Sequence, residues 1–394
     1  MLKGRKIRLL PTPEQETLFW KSAGTARWAY NYYLSEKERI YQTYLQNGKT
    51  GKKNITSNKI RKYINNVLKK TTHQWLKEVG SNVMKQGVRD ADDAYQKYFK
   101  GLTCKPKLKS KRKSKISFYV NYETLTRKQG GFHGEKIGFV KTSEALPKIS
   151  KNQRYSNPRI SYDGKYWYLS FCYEVQERQN IKLSNDIIGI DLGIKNLAIV
   201  SNGTIFKNIN KTNRMKKLER KLKREQRKAS KKLKSNISGY SNYHKPIYKC
   251  PLEDCKNLNK QYRKIKILYR RISNIRNNYL HQITRMIVKT KPSCVVMENL
   301  NINGMMKNRR LAKAILNQKF YEFKRQMRYK CKEFKIKFIE ADRFYPSSKK
   351  CSQCGHIKND LKLKDRIYKC TECGLVIDRD LNAAINLANY EKRS

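Results

Sequence analysis

Acidic residues are scarce in this chain: 31 Asp and Glu stand against 90 Lys and Arg in 394 residues, a formal charge of +59. A free protein so charged repels itself, and the counter-charge that fits is a polyanion. The plainer readings are a solvated basic surface or ribosomal association. Twenty-six tyrosines scattered among the basic residues favour base stacking in addition to charge. Long apolar runs are also missing. No stretch approaches the roughly 18 residues of a membrane span, and the mean hydropathy is −0.86, so no membrane partner is expected. The opening Met-Leu-Lys-Gly-Arg-Lys has no hydrophobic signal core behind it, so nothing marks the chain for secretion. Ten cysteines in a chain without an export signal read as metal ligands before disulfides.

The pattern of elements divides the chain. Residues 3–10 read as a strand, and Thr12-Pro13-Glu14 then opens a helix with a capping hydroxyl, a first-turn proline and an early acid. That helix is expected to run towards Leu45, stop at Gly48 and break near Gly24. Two more helical segments are expected near 57–70 and 75–100, and Trp28 and Tyr30 serve either helix packing or nucleic-acid contact. A basic arm follows at 105–114, then strand-like runs at 116–122, 136–142 and 159–175, the last with an Asp163-Gly164 turn. Trp167, Leu169, Phe171 and Tyr173 alternate with polar partners, the period of a half-buried strand. A small β-barrel completed by residues 3–10, with the helical block inserted, accounts for this half. Cys104 and Cys172 read as packing residues.

From residue 186 the order is three short strands, then two basic helices near 211–234 and 257–289 whose apolar stripes suit an antiparallel hairpin. The segment 235–248 reads as a polar loop. Cys250-x4-Cys255 with His244 nearby is a weak metal signal, because a fourth ligand is not evident. A strand at 292–300, a helix over 310–334, a strand at 335–340 and a terminal helix starting near Asp380 complete the order.

Three features carry chemistry. The first is Ile-Ile-Gly-Ile-Asp-Leu-Gly-Ile-Lys at 187–195, in which Ile188, Ile190 and Leu192 share one face of a strand and Ile187, Gly189 and Asp191 the other. A strand apolar on both faces is usually central, and a carboxylate there needs a partner. The second is Cys351-x2-Cys354, fifteen intervening residues, then Cys370-x2-Cys373, the spacing of a closed four-thiolate Zn²⁺ site of structural type. Gly355 and Gly374 let each knuckle turn, and His356 is a bystander. The third is the set of acids at element ends: Asp191, Glu298 and either Asp378 or Asp380. Strand-strand-strand-helix-strand-helix-strand-helix, with acids on the first and fourth strands and the last helix, is the logic of a ribonuclease H-like fold. Converging carboxylates of this kind share divalent cations, and a pair of Mg²⁺ ions can activate water against a phosphodiester. Asp378 and Asp380 lie about 200° apart around a helix, so only one faces the site squarely and the other caps the helix. Spacing does not choose between them.

The motifs GIDLGIKNLA (189–198), VVMENLNINGM (295–305), DRFYPSSKKCSQCG (342–355) and CTECGLVIDRDLNAAIN (370–386) resemble the RuvC-type nuclease half of TnpB proteins, RNA-guided endonucleases encoded by insertion sequences and related to type V CRISPR effectors. The resemblance covers 184–394, and the order of elements before it is similar to the family's wedge and recognition domains. It implies a wedge-like β-barrel at 1–10 and 101–183, a helical recognition domain at 11–100, a RuvC-like α/β nuclease domain at 184–345 and 378–394, and a zinc ribbon at 346–377. It implies Asp191, Glu298 and Asp380, rather than Asp378, as catalytic Mg²⁺ ligands, and Cys351, Cys354, Cys370 and Cys373 as Zn²⁺ ligands. Its implied partners are a guide RNA from the transposon end and a double-stranded DNA target beside a short motif, bound by a monomer in a cytoplasmic, nucleoid-associated ribonucleoprotein. Two rival readings keep the fold: a nuclease-dead RNA-guided repressor, which should have lost an acid, and a transposase or resolvase, which needs neither the helical block nor the zinc insert.

Overall fold

The computed structural model describes residues 1–111, 114–150, 152–176, 179–362 and 365–390. The chain separates into two compact units, Met1–Gln176 and Glu177–Ser394.

In the first unit, β1 (Leu2–Leu10) leads into α1 (Pro13–Gln46), which starts on a reciprocal cap: the Gln15 N–H donates to Thr12 Oγ1 at 3.3 Å and the Thr12 N–H to Gln15 Oε1 at 3.1 Å. No break occurs at Gly24. A Cβ there would meet nothing within 4 Å, so no neighbour requires a kink. The glycine that matters lies across the interface, in α3 (Ser81–Phe99), where a Cβ on Gly87 would stand 2.8 Å from the Ala26 carbonyl oxygen. Between them, α2 (Ser57–Tyr63) and a π-helical turn to Leu68 replace the expected longer helix, and a 3₁₀ turn at Gln74–Glu78 precedes α3. Tyr30 and Tyr33 are buried in the helical core, and Trp28 is half-buried against Tyr32 and Trp75.

The other strands of this unit are β2 (Ser117–Tyr119), β3 (Thr126–Lys128), β4 (Gly131–Gly134), β5 (Gly138–Thr142), β6 (Ser156–Tyr162) and β7 (Trp167–Glu174). They form one antiparallel sheet in the order β2-β6-β7-β1-β5-β4-β3, with β1 in the middle despite its place at the start of the chain. Trp167, Leu169 and Phe171 are buried as the alternation predicts, and Asp163 Oδ1 accepts the N–H groups of Lys165 and Tyr166 in the turn before them. Asp90 of α3 receives both terminal nitrogens of Arg159 of β6, at 2.7 and 2.8 Å, fastening helices to sheet. Cys104 and Cys172 do not pack in a core. Both are exposed, Cys172 because it belongs to the outward set of β7.

The second unit is built on β8 (Ile187–Leu192), β9 (Asn196–Val200), β10 (Ile205–Lys207), β13 (Cys294–Met297) and β14 (Lys337–Glu340), ordered β10-β9-β8-β13-β14. β8, β13 and β14 run parallel, while β9 and β10 are antiparallel additions through the Asn202-Gly203 turn, where Gly203 has φ +84°. Helices α4 (Asn213–Ser235) and α5 (Lys256–Lys289) pair through Met215, Leu218, Leu222, Leu268 and Ile272. The segment between them is not a loop but a hairpin, β11 (Ile237–Tyr240) and β12 (Pro246–Tyr248), whose turn is carried by His244 at φ +54°. The expected single helix over 310–334 is divided. After α6 (Ile302–Met306), α7 (Arg309–Gln318) ends at Lys319, whose φ of +56° reverses the backbone before α8 (Phe320–Glu333). Lys319 Nζ is anchored on Asn277 Oδ1 at 2.7 Å, which holds that joint against α5. One face of the sheet packs on α5 and α8 through Ile188, Ile190, Val295, Ile283, Phe323 and Met327. The other is covered by α9 (Arg379–Ala388), which follows β15 (Ile367–Lys369) and β16 (Val376–Asp378).

Candidate functional site

The acidic site forms where β8, β13 and α9 meet. Gly189 sits on the face of β8 that α9 covers, and the contact is too close for any side chain: a Cβ would lie 1.9 Å from the Ala384 carbonyl oxygen and 2.4 Å from the Ala388 nitrogen. Asp191, two residues on, shares that face. Asp380, Ala384 and Ala388 recur at i, i+4 and i+8 on α9, so the stripe that accommodates Gly189 also carries Asp380 towards Asp191. Glu298 arrives by register. Met297 pairs with Ile190 in the parallel ladder, and Glu298 follows it just as Asp191 follows Ile190.

The electrostatics record the convergence. Burial raises the Asp191 carboxyl well above its ordinary range, the charges of Glu298 and Asp380 raise it further, and Arg379 opposes them. Burial also raises Glu298. Asp380 is held by Arg379, whose Nη2 donates to Oδ1 at 2.9 Å, with Arg366 Nη1 at 3.6 Å from Oδ2. Asp378 does the capping: its Oδ1 accepts the N–H groups of Asp380 at 2.9 Å and Leu381 at 3.1 Å. Three carboxylates thus bear on one another, Asp191 and Glu298 each half-buried, with two arginines bearing on Asp380.

The four cysteines gather as their spacing predicts. Their sulfurs lie within 4.8 Å of one another, with Cys351 to Cys373 at 3.6 Å and Cys354 to Cys370 at 3.5 Å. Four sulfurs about 2.3 Å from a tetrahedral Zn²⁺ stand about 3.8 Å apart, so the donor set fits that ion with little adjustment. The knuckles close by Cys351 N–H to the His356 carbonyl at 2.7 Å and Cys370 N–H to the Leu375 carbonyl at 2.9 Å, with Gly355 and Gly374 at φ +83° and +73°. Backbone N–H groups, that of Cys373 foremost, lower the Cys370 thiol to about 6, while hydrogen bonding among the crowded thiols helps to raise those of Cys354 and Cys373, so the cluster without an ion favours one thiolate among its neighbours. Among the described residues no third ligand joins Cys250 and Cys255. Their sulfurs meet at 3.1 Å, while His244 sits in the exposed hairpin turn.

Two residues that sequence reasoning missed connect the sites. Asn382 and Asn386 of α9 are 0% and 2% exposed. Asn382 Nδ2 donates to the Lys350 carbonyl at 2.7 Å, and its Oδ1 accepts the Ser352 N–H at 3.0 Å. Asn386 Nδ2 donates to the carbonyls of Ser347 at 2.8 Å and Lys350 at 2.6 Å. The helix bearing Asp380 is thus bonded to the segment that opens the cysteine knuckle. Two amides at i and i+4 on the apolar side of a terminal helix were the signal.

Comparison with known proteins gives three family matches along the chain: a helix-turn-helix domain model of the OrfB/IS605 type at residues 1–46, the OrfB/IS605 model described as "Probable transposase" at 170–309, and a Cas12f1-like TNB domain model at 320–387. In this structure residues 1–46 hold β1 and the uninterrupted α1. Among curated relatives, "Putative RNA-guided DNA endonuclease InsQ" of Escherichia coli (strain K12) is 27% identical, covering 98% of this chain and 91% of its own length. A "Putative RNA-guided DNA endonuclease" of Streptomyces pristinaespiralis is 27% identical over 97% and 87%. A solved Cas12f1 complexed with sgRNA and target DNA shares the fold, with a TM-score of 0.54 at 14% identity over 99% of both chains. The element order, the four-cysteine knuckle and these matches along the chain agree in supporting the TnpB family.

Proposed function

We propose that this protein is an RNA-guided DNA endonuclease that hydrolyses phosphodiester bonds beside a short transposon-associated motif, with Asp191, Glu298 and Asp380 as its catalytic carboxylates. The observation that carries the reading is the convergence of three carboxylates on a half-buried Asp191: the β8–β13 register brings Glu298 beside it, α9 brings Asp380, and both charges raise its carboxyl, a repulsion that a bound cation would relieve. Two divalent cations bound there would supply an activated water and stabilise charge on the leaving oxygen. The chain's own residues do the positioning. Gly189 admits α9 against the sheet, Arg379 and Arg366 orient the Asp380 carboxylate, and Asp378 fixes the helix start. Cys351, Cys354, Cys370 and Cys373 would hold a structural Zn²⁺, and Asn382 and Asn386 transmit that rigidity to α9. The division of labour follows the domains expected from the sequence: 1–10 and 101–183 with 11–100 hold the guide RNA and read the motif, 184–345 with 378–394 cut, and 346–377 braces the site. A net charge of +59 supplies the counter-charge for RNA and DNA, bound by a single copy of the chain.

The test is Asp191→Ala in the ribonucleoprotein assembled with the RNA that co-purifies with the chain. Cleavage of a matched DNA duplex in Mg²⁺ should vanish while guide-directed binding of the same duplex persists. Continued cutting would remove Asp191 from the site.

A further inference from the structure

At the far end of the helical block, α1, α3 and the segment around residue 54 enclose a cavity of about 330 Å³ that no part of the cleavage chemistry uses. This volume lies at the small end of ligand-binding cavities, roughly 300–1,000 Å³. Its walls are the rings of Tyr41, Tyr95, Tyr98 and Phe99. Tyr95 and Phe99 lie nearly parallel, with centroids 5.8 Å apart and planes 26° from one another, and Tyr98 leans on Phe99 at 5.5 Å. Phe99 is 61% exposed, Tyr41 40% and Tyr98 37%, so apolar ring surface faces the opening instead of being spent on packing.

Beneath the rings lies Lys37, only 7% exposed. Its ammonium stands 4.7 Å over the Tyr95 ring and 5.3 Å over the Phe99 ring. Among the described residues its hydrogen-bond acceptor is the Tyr33 hydroxyl, at 3.3 Å, and that hydroxyl donates in turn to Asp92 at 2.6 Å. An ammonium has three donors, so a buried one resting mainly on ring faces retains capacity for an acceptor brought in from outside. At the rim stand Lys53 and Lys105. The one acid lining the cavity, Glu38, already accepts from Lys105 at 2.8 Å and from Gln42 at 2.9 Å.

Aromatic walls, a cationic donor at the floor and lysines at the mouth match one ligand chemistry: a planar base with a carbonyl on its edge, carried on an anionic backbone. We propose that this cavity takes one unpaired, carbonyl-bearing nucleobase of a single-stranded nucleic acid, its ring against Phe99 and Tyr98, its carbonyl on Lys37 and its flanking phosphates by Lys53 and Lys105. The inference rests on the nucleic-acid reading of the chain but not on its cleavage chemistry. The strand is either RNA or DNA, two sources of the same chemistry.

The test uses the full chain, freed of co-purifying nucleic acid at high salt, and two probes: oligo(U) with one central 5-iodouridine and oligo(dT) with one central 5-iododeoxyuridine. Irradiation should join the halogenated base to Tyr98 or Phe99, mapped by peptide mass spectrometry, and the arm that crosslinks identifies the strand. Phe99→Ala should weaken binding of that oligonucleotide roughly 5- to 150-fold, the loss of one base–aromatic stack, and Phe99→Trp should restore it. Because Phe99 is exposed at the end of α3, the melting temperature of Phe99→Ala should match that of the unaltered chain. Crosslinks confined to other surfaces, or unchanged affinity in a Phe99→Ala chain that melts normally, overturn the proposal. Failure of the unaltered chain to bind either oligonucleotide overturns both the proposal and the nucleic-acid reading beneath it.

Discussion

Gly189→Ala is a sharp perturbation of this structure because the added atom meets backbone that cannot rotate away. The new Cβ would lie 1.9 Å from the Ala384 carbonyl oxygen, whereas ordinary contact begins near 3.4 Å, so α9 must withdraw by about 1.5 Å. Overpacking of this kind costs about 1–3 kcal/mol. Withdrawal also strains the Asn382 and Asn386 hydrogen bonds, so a total of roughly 2–4 kcal/mol is expected. For a unit of about 200 residues this lowers the melting temperature by roughly 5–15 °C. The catalytic effect should be larger, because Asp380 rides on the same helix and a shift of about 1 Å in a catalytic group costs on the order of 100-fold in rate. Melting followed by circular dichroism gives the first quantity, and single-turnover cleavage with saturating Mg²⁺ and guide gives the second. Gly24→Ala is the control: its Cβ meets nothing, and within a helix it should stabilise by about 0.5–1 kcal/mol. A Gly189→Ala chain that melts and cuts like the unaltered one would refute the close strand–helix contact and the alignment of Asp191 with Asp380 that depends on it.

Other outcomes follow from the same geometry. Asn386→Ala takes this donor from the Ser347 carbonyl and leaves the Lys350 carbonyl to Asn382, and should cost roughly 1–3 kcal/mol in thermal melts; Asn386→Asp, which sets a carboxylate against the same two carbonyls, should cost more. Cys370→Ser should abolish stoichiometric zinc, read by elemental analysis, and lower the melting temperature by at least several degrees; a zinc-free variant with unchanged melting would remove the site's structural role. Lys330, enclosed between α5 and α8, is lowered to about 8 by burial, then by Arg285. Its folded pKa is depressed, so the cost of burying its charge is present below about pH 8 and fades as pH rises towards the ordinary lysine value near 10.4. The ammonium also donates to the His281 carbonyl at 2.8 Å and to Thr284 Oγ1 at 2.6 Å, so the readout is the pH dependence: measured against Lys330→Met, the unaltered chain should gain melting temperature between about pH 8 and 10, and a constant gap would contradict the buried charge.

Legibility in the sequence followed range. The four cysteines declared themselves because knuckle spacing is local, and the β7 alternation because strand period is local. Asp191 and Glu298 could be singled out as acids closing apolar runs, but the choice of Asp380 over Asp378 came from family resemblance. In the structure Asp378 spends its oxygen on the helix start, a bond spacing alone could not assign. The expected break at Gly24 failed because a glycine can be tolerated without being required, and only the partner helix shows that Gly87 is the constrained one. Lys319 was missed because nothing in its side chain marks a left-handed backbone; its anchor on Asn277 lies 42 residues away. The hairpin at 237–248 hid in a polar composition that strands and loops share. Asn382 and Asn386 carry no local mark of their role, because their partners at Ser347, Lys350 and Ser352 lie 30 to 39 residues away in the chain.

The acids stand at 191, 298 and 380, and the third arrives only after the cysteine knuckle has been made. On a ribosome the first unit is complete at Gln176, long before Asp380 exists. A growing chain can therefore collapse its first unit, and even build the β8–β13–β14 ladder, before the helix that carries Asp380 has been made. On the proposed triad, a fragment that ends upstream of the knuckle would keep much of the basic surface and lack the third carboxylate.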